Sequence, residues 1–414
     1  MPHGSDLRTV EEHLARVLAK VRQHPAVTVA LDAARGHTLG ADARARSAVP
    51  VFDNSAMDGF AVRYADVAGA SAETPVALRV AADIPAGSAL DPALASGEAA
   101  RIMTGAPVPA AADTIVPFED TAGGLAGSLS EALVTRAPRA RGAHIRRAAE
   151  DVAAGDVVLG AGTLLGPWQL AALASTGVSH VEVAPPPKVV VVSTGSELVV
   201  EGGSLEHGQI PESNGILIAG LVEEAGGEVV LRRVVDDEGA GPADAVAEAV
   251  RREADAVVFT GGVSAGAYEI VRQSLAGDME FSRVAMQPGK PQGFGAAPEG
   301  MLLFGLPGNP VGAAVSFEVF VRPALLRMQG RTRIDRPTVR LPAATGWRTP
   351  PGRRQYLPVV IDRADPAHPV VRSATSGGSG SHLSAGLGLA EAYAVVPADV
   401  EAVAAGDLVE VLLL

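Results

Sequence analysis

The sequence predicts a multidomain protein in which one doubly wound α/β domain is joined to smaller β-rich units. Three observations carry this. From residue 188 onward, apolar strand runs alternate with helical patterns, as they do in parallel βαβ units. Residues 43–118 and the chain beyond 337 show short β segments broken by Gly and Pro. Between these textures, "APPPK" at 184–188 is a stiff punctuation mark.

Composition narrows the function classes. The 414 residues are 47% hydrophobic but only 4% aromatic, so the cores must be built from Ala, Val and Leu. A net charge of −13 disfavours nucleic acid and anionic membrane as partners. An anionic ligand would need local cations, backbone amides or a metal ion. With no cysteine, disulfides, zinc–thiolate sites and thiol nucleophiles are excluded. The first residues are acidic where a signal peptide needs an apolar core, and no apolar run approaches membrane-spanning length. A cytoplasmic protein is expected.

Taken in order, Val10, Leu14, Val17, Leu18 and Val21 repeat at helical spacing, with Thr9 and Glu12 placed as a capping box. Residues 1–50 and 146–185 are expected to form one discontinuous linker domain. It contains a helix at "GPWQLAALASTGV" (166–178), opened by Pro167 and stopped by Gly177. Residues 51–145 read as a β-rich domain ending in a basic cluster, Arg136 to Arg147. The α/β domain spans 186–334. Its first strand, "KVVVVSTG", is apolar throughout, as a parallel strand buried on both faces is. Helix "NGILIAGLVEEAGG", strand "EVVLRRVV", helix "ADAVAEAVRREA", strand "ADAVVFTGG", strand "GMLLFGLPG" and helix "PVGAAVSFEVFVRPALLRM" follow. Residues 335–414 return to short β segments.

The unusual residues of the α/β domain sit at strand ends. They are Thr194-Gly195-Ser196-Glu197, Thr260-Gly261-Gly262-Val263-Ser264 and Gly305-Leu306-Pro307-Gly308-Asn309-Pro310. One such turn alone is an ordinary tight turn. Three on one edge describe an anion cradle, because ligands of open α/β sheets bind beyond the strand carboxyl ends and glycine lets backbone amides approach a phosphate. Thr194, Gly195, Ser196, Gly261, Gly262, Ser264, Pro307, Gly308 and Asn309 are its expected lining. Glu197, Asp236-Asp237 and Glu269 fall near the same edge. Carboxylates beside a phosphate cradle suit Mg²⁺, which takes oxygen ligands and bridges to substrate phosphate.

"DNSAMDGFA", "RIMTGAPVP", "STGSEL", "GGVSAGAYE", "QPGKPQGFG", "GLPGNPVGAAVSF" and "GSGSHLSAGLGLAEA" occur in this order from residue 50 to 396. Together they resemble the successive motifs of the MoeA family, the molybdopterin molybdotransferases, which are similar to the C-terminal part of gephyrin. The resemblance implies a MogA/MoaB-like α/β domain. It also implies a reaction in which adenylated molybdopterin and molybdate give molybdenum cofactor and AMP, with Mg²⁺. Lack of cysteine suits a protein that must hand molybdenum over rather than hold it by thiolates. Carried over by position, the resemblance puts functional weight on Asp58, Thr104, Asp151, Lys290 and Ser381, with Glu197, Asp237 and Glu269 at the metal. Asp53 reads as a structural turn residue. The resemblance further implies an elongated homodimer whose sites are shared between chains, and an adenylating enzyme of the same pathway as a partner.

The chain departs from the family pattern at three places. Glu269 stands where Asp is more common, Gln287 where many members have Lys, and Tyr356-Leu357-Pro358-Val359 lacks a common arginine. Arg353, Arg354 and Arg283 are the nearby cations that could replace the lost charge. Two other functions compete: a CinA-like nucleotide amidohydrolase, which shares a similar α/β domain, and a non-catalytic gephyrin-like scaffold.

Overall fold

The computed structural model describes residues 7–264, 269–375 and 384–414. Its first helix, Val10–Leu18, starts at a capping box: Glu12 N–H donates to Thr9 Oγ1 at 3.1 Å and Thr9 N–H to Glu12 Oε2 at 2.8 Å. The apolar stripe of this helix does not pack on the linker unit that follows. Val17 enters a core with Val189, Val191 and Ile218, and Val10 packs with Met286, Phe320 and Tyr356.

Strands Val27–Ala30, His180–Ala184 and Thr38–Leu39 form an antiparallel sheet, and Ala43–Arg44 pairs with Val157–Leu159. With helix Pro167–Ser175 they enclose Leu39, Leu165, Leu173 and Val183. Two distant stretches of chain thus share one core. The Pro-rich joint beyond it is latched by His24. Its Nδ1 lies 3.2 Å from the Pro185 carbonyl and its Nε2 3.1 Å from Asp255, whose other oxygen accepts from Lys188 N–H at 2.7 Å.

The β-rich domain holds a six-stranded sheet. Across it run Thr114–Pro117, Gly59–Val62, Glu98–Ile102, Val76–Ile84, Glu131–Val134 and Thr121–Ala122. Phe60, Leu78 and Val116 fill one face, and Ile84, Ile102 and Ile115 the other. A side chain at Gly59 would place a Cβ 2.0 Å from the Val116 carbonyl, so only glycine lets these strands approach. Three arginines of the basic cluster are paired with aspartates of this domain. Arg136 bonds Asp120, Arg141 bonds Asp113 at 2.8 Å and Arg147 bonds Asp53 at 2.5 Å.

The α/β sheet runs Glu228–Val235, Lys188–Thr194, Ala256–Thr260, Leu302–Leu306, Pro291–Ala296, Met279–Arg283. The first four strands are parallel. Val189 and Val191 face one helix layer, Val190 and Val192 the other, which is why that strand is apolar at every position. The last two strands form an antiparallel edge that the alternation of strand and helix did not foretell. In the final helical stretch, a π-helical turn at Phe317–Val321 joins Pro310–Ser316 to Arg322–Met328.

The C-terminal sheet is ordered Met286–Gln287, Arg354–Asp362, Ala392–Val396, Leu408–Leu413, Thr338–Pro342, with Val370–Ser373 also pairing to Arg354–Asp362. Met286–Gln287 comes from the α/β domain and pairs in parallel with Arg354 and Gln355, tying the two domains together. Among the described residues, no helix is long and apolar enough to cross a membrane.

Candidate active site

Three adjacent parallel strands end side by side, and their turns touch. Thr194 is buried at the end of the first. Gly261 has φ +88°, and a Cβ there would lie 2.7 Å from the Thr194 carbonyl and 2.8 Å from its Oγ1. A Cβ on Gly262, at φ +63°, would stand 3.1 Å from the same Oγ1, and one on Gly308 would stand 3.4 Å from Gly261 Cα. Glycine is therefore required twice over at 261, by backbone conformation and by space. The strand-end residues Thr194, Gly261, Gly262 and Gly308 meet in one concavity, with Pro307 buried behind it and Asn309 at the start of helix Pro310–Ser316.

Two supporting residues escaped the sequence reading. Asn214 Nδ2 donates to the Gly308 carbonyl at 2.7 Å and holds that turn down. Glu212, buried, accepts from Ser193 Oγ at 2.8 Å and from Gly215 N–H at 2.7 Å, bracing the strand end against helix Asn214–Glu224. The only sequence signal was a short polar run, "PESN", before an apolar helix.

The acidic residues divide into a pair and a single. Ser196 N–H donates to Asp237 Oδ2 at 3.1 Å while Asp237 N–H donates to Ser196 Oγ at 3.0 Å. This clamp joins the Gly195 turn to the Asp237 loop. The Glu197 carboxylate folds back over Gly195, where a Cβ would be 2.6 Å from Oε2. Glu269 accepts from Ser264 N–H at 2.8 Å, on the flank of the Gly262 turn. Among the described residues, no three acidic, histidine or cysteine side chains converge on a ready-made metal cage. What is present is a set of carboxylate oxygens beside the cradle, hard donors that fit Mg²⁺, an ion that usually takes one or two carboxylates and keeps water and phosphate as its other ligands.

Cations gather at Lys290. Its ammonium is held below the usual lysine range by partial desolvation and by repulsion from Arg283 and Arg353. Arg353 Nη1 donates to Gln287 Oε1 at 2.8 Å, so Gln287 orients a cation instead of supplying one. Arg354, also a candidate from sequence, bonds Glu11 at 2.6 Å and belongs to the packing of the first helix. Arg283 and Arg353 are the two that stand near Lys290.

A second constellation lies on the β-rich domain. Asp58 Oδ1 accepts from Thr104 N–H at 2.6 Å and from Thr104 Oγ1 at 2.7 Å, and these bonds hold its carboxyl below the usual carboxylate range. Ser55 shapes the turn, its Oγ donating to the Met57 carbonyl at 2.5 Å, and Asn54 Nδ2 donates to the Phe52 carbonyl at 3.2 Å. Asp53 bonds Arg147 and accepts from Ala148 N–H at 2.8 Å, a structural tie between the two loops. Asp151 is exposed in that second loop, its N–H donating to the Val49 carbonyl at 3.0 Å. Ser381 lies outside the described residues.

Glycine turns that meet at the strand ends of a doubly wound sheet, with carboxylates beside them, are the arrangement in which proteins of this class bind phosphorylated ligands. Comparison with known proteins narrows this class. Residues 8–177 match the family model "MoeA N-terminal region (domain I and II)", 190–327 "Probable molybdopterin binding domain", and 340–414 "MoeA C-terminal region (domain IV)". The chain is 42% identical over 413 residues to molybdopterin molybdenumtransferase 2 of Mycobacterium tuberculosis, covering 98% of this chain and 99% of that one. It is 37% identical over 328 residues to the molybdopterin molybdenumtransferase of Staphylococcus aureus, covering 78% and 77%. A crystal structure of the molybdopterin biosynthesis MoeA protein from Pyrococcus horikoshii superposes with a TM-score of 0.84 at 29% identity, covering 99% and 100%. The chain belongs to the MoeA family.

Proposed function

We propose that the protein is a molybdopterin molybdotransferase, taking adenylated molybdopterin and molybdate and yielding molybdenum cofactor and AMP. The observation that carries this is the meeting of Thr194, Gly261, Gly262 and Gly308 at the strand ends, with Glu197 folded over the neighbouring Gly195 turn and Asp237 clamped to Ser196. Backbone amides of the turns bind the adenylate phosphate without side-chain charge. Glu197 and Asp237, with Glu269 on the far side of the Gly262 turn, would hold Mg²⁺, which when bound neutralises phosphate charge. Lys290, Arg283 and Arg353 receive molybdate through charge-assisted hydrogen bonds. Asp58, kept ionised by Thr104, faces the cradle across a homodimer, so that each site draws on two chains. Asp151 and Ser381 enter on family resemblance alone. An adenylating enzyme supplying the substrate, and a cytoplasmic setting, complete the proposal.

Agreement along the whole chain, β-rich and C-terminal domains included, does not favour an amidohydrolase, whose likeness to this chain lies in the α/β domain, or a scaffold, which would not need the carboxylates and cations. The test is release of AMP from adenylated molybdopterin, followed by chromatography with molybdate and Mg²⁺ present. Release no faster than in a protein-free blank overturns the assignment.

A further inference from the structure

Beside the cradle, a cavity of about 620 Å³ opens between the N-terminal strap and the edge hairpin, walled by Arg8, Val263, Ser264, Arg272, Phe281 and Arg283. Nothing so far gives it a task. Its position does. Val263 and Ser264 continue the Gly261–Gly262 turn, so one wall of the cavity is the rim of the cradle. The opposite wall includes Arg283, one of the two arginines whose charge bears on Lys290. The cavity thus lies between the place for the adenylate phosphate and the place for the oxyanion.

Its chemistry is specific as well. The Arg272 guanidinium lies over the Phe281 ring, 5.6 Å from the centroid, and its Nη1 donates to the Ser264 carbonyl at 3.3 Å. A guanidinium fixed against a ring is flat, cationic and still rich in donors, a surface that stacks on planar heterocycles and bonds their carbonyl oxygens. Glu280, also in the wall, is held by Arg8 at 2.6 Å and by Arg16, which tempers its charge. A neighbouring cavity of about 910 Å³, lined in part by the same Arg272 and Phe281, sets Arg16, Lys20 and Arg272 against Glu269, Asp278 and Glu280, whereas the first cavity sets Arg8, Arg272 and Arg283 against Glu12 and Glu280 alone.

We propose that the Arg272–Phe281 cavity receives the pterin and dithiolene end of the substrate, with Arg272 stacking on the ring system and Arg283 facing the anionic sulfurs. This rests on the molybdotransferase reading. A volume of this size accommodates a tricyclic pyranopterin. The two residues would then set specificity for the pterin, leaving the adenylate to the glycine turns.

Equilibrium binding of AMP alone and of adenylated molybdopterin separates the two ends. Arg272→Ala and Phe281→Ala should each weaken adenylated molybdopterin roughly tenfold or more, about 1.4 kcal/mol, and leave AMP affinity within about twofold. Arg272→Lys, which keeps charge but loses the plane, should also bind the adenylated pterin more weakly than the wild type. Unchanged affinity for adenylated molybdopterin in both alanine variants overturns the proposal, as does an equal loss for AMP. A wild-type protein that binds AMP but not adenylated molybdopterin would instead overturn the molybdotransferase reading itself.

Discussion

Gly261→Ala is the most direct test of the cradle. At φ +88° an alanine is in left-handed space, which costs about 1–2 kcal/mol. Its Cβ would also sit 2.7 Å from the Thr194 carbonyl and 2.8 Å from Thr194 Oγ1. Such overpacking typically adds about 1–3 kcal/mol, because the neighbour is the end of a buried central strand and cannot swing away. Alanine recovers about 0.4–1 kcal/mol by restricting the unfolded chain. The net cost is then roughly 2–4 kcal/mol. The control is Gly202→Ala, in the same domain at φ +83°, where nothing lies within 4 Å of the new methyl. That change keeps the conformational cost and lacks the overlap, so it should destabilise by about 1 kcal/mol or less. At about 2–4 °C per kcal/mol for a domain of this size, the two variants should differ by several degrees in the melting of the α/β domain. The turn must also move outward to relieve the clash, so Gly261→Ala should lose AMP binding while Gly202→Ala retains it. Equal melting shifts in the two variants, with AMP affinity intact in both, would refute the close approach of the three turns.

The remaining predictions concern the carboxylates, the assembly and a buried histidine. Glu197→Gln and Asp237→Asn should abolish Mg²⁺-dependent AMP release while the protein still folds; full activity of both at limiting Mg²⁺ would remove them from the metal. Co-expression of Asp58→Ala with Glu197→Ala chains should restore roughly a quarter of wild-type activity, since random mixing makes about half heterodimers, each with one intact site of two. Activity no higher than that of the single mutants, with heterodimers confirmed by mass, would show that each site belongs to one chain. His13 is buried against Phe320, its pKa pushed down to about 4 by desolvation and then by the charges of Arg8 and Arg16. The unfolded chain takes up a proton near pH 6.5 that the folded one refuses, so stability is lost as pH falls from 6.5 toward 4, by about 2 kcal/mol at pH 5. His13→Leu should flatten the drop in melting temperature between pH 7.5 and 5; an unchanged drop would assign the acid sensitivity elsewhere.

Legibility of the fold and site followed the physical reason for each residue. "KVVVVSTG" was readable because a strand covered on both faces has no polar position, and the glycine turns because glycine alone tolerates their φ and spacing. The edge strand Pro291–Ala296 was not readable, since "PQGFGA" carries the composition of a loop. Its glycines answer a tertiary demand: a Cβ at Gly295 would lie 1.9 Å from the Asp278 carbonyl, and one at Gly293 would lie 2.9 Å from the Phe281 ring. Local propensity argues for a turn there, and only the neighbouring strand decides otherwise. Pro358 lies inside the long strand Arg354–Asp362, opposite Tyr393. In the site, the missing family cation left three arginines that sequence alone could not rank. Rank comes from the partner each one meets in the fold. Glu11, on a helix near the other end of the chain, takes Arg354, while Gln287, the residue that replaces the common lysine, takes Arg353 and turns it toward the cluster at Lys290. Gln287, in strand Met286–Gln287, and Arg353, just ahead of strand Arg354–Asp362, therefore form one coupled feature: Arg353 brings the positive charge that glutamine lacks, held by a hydrogen bond that lysine at 287 could not accept.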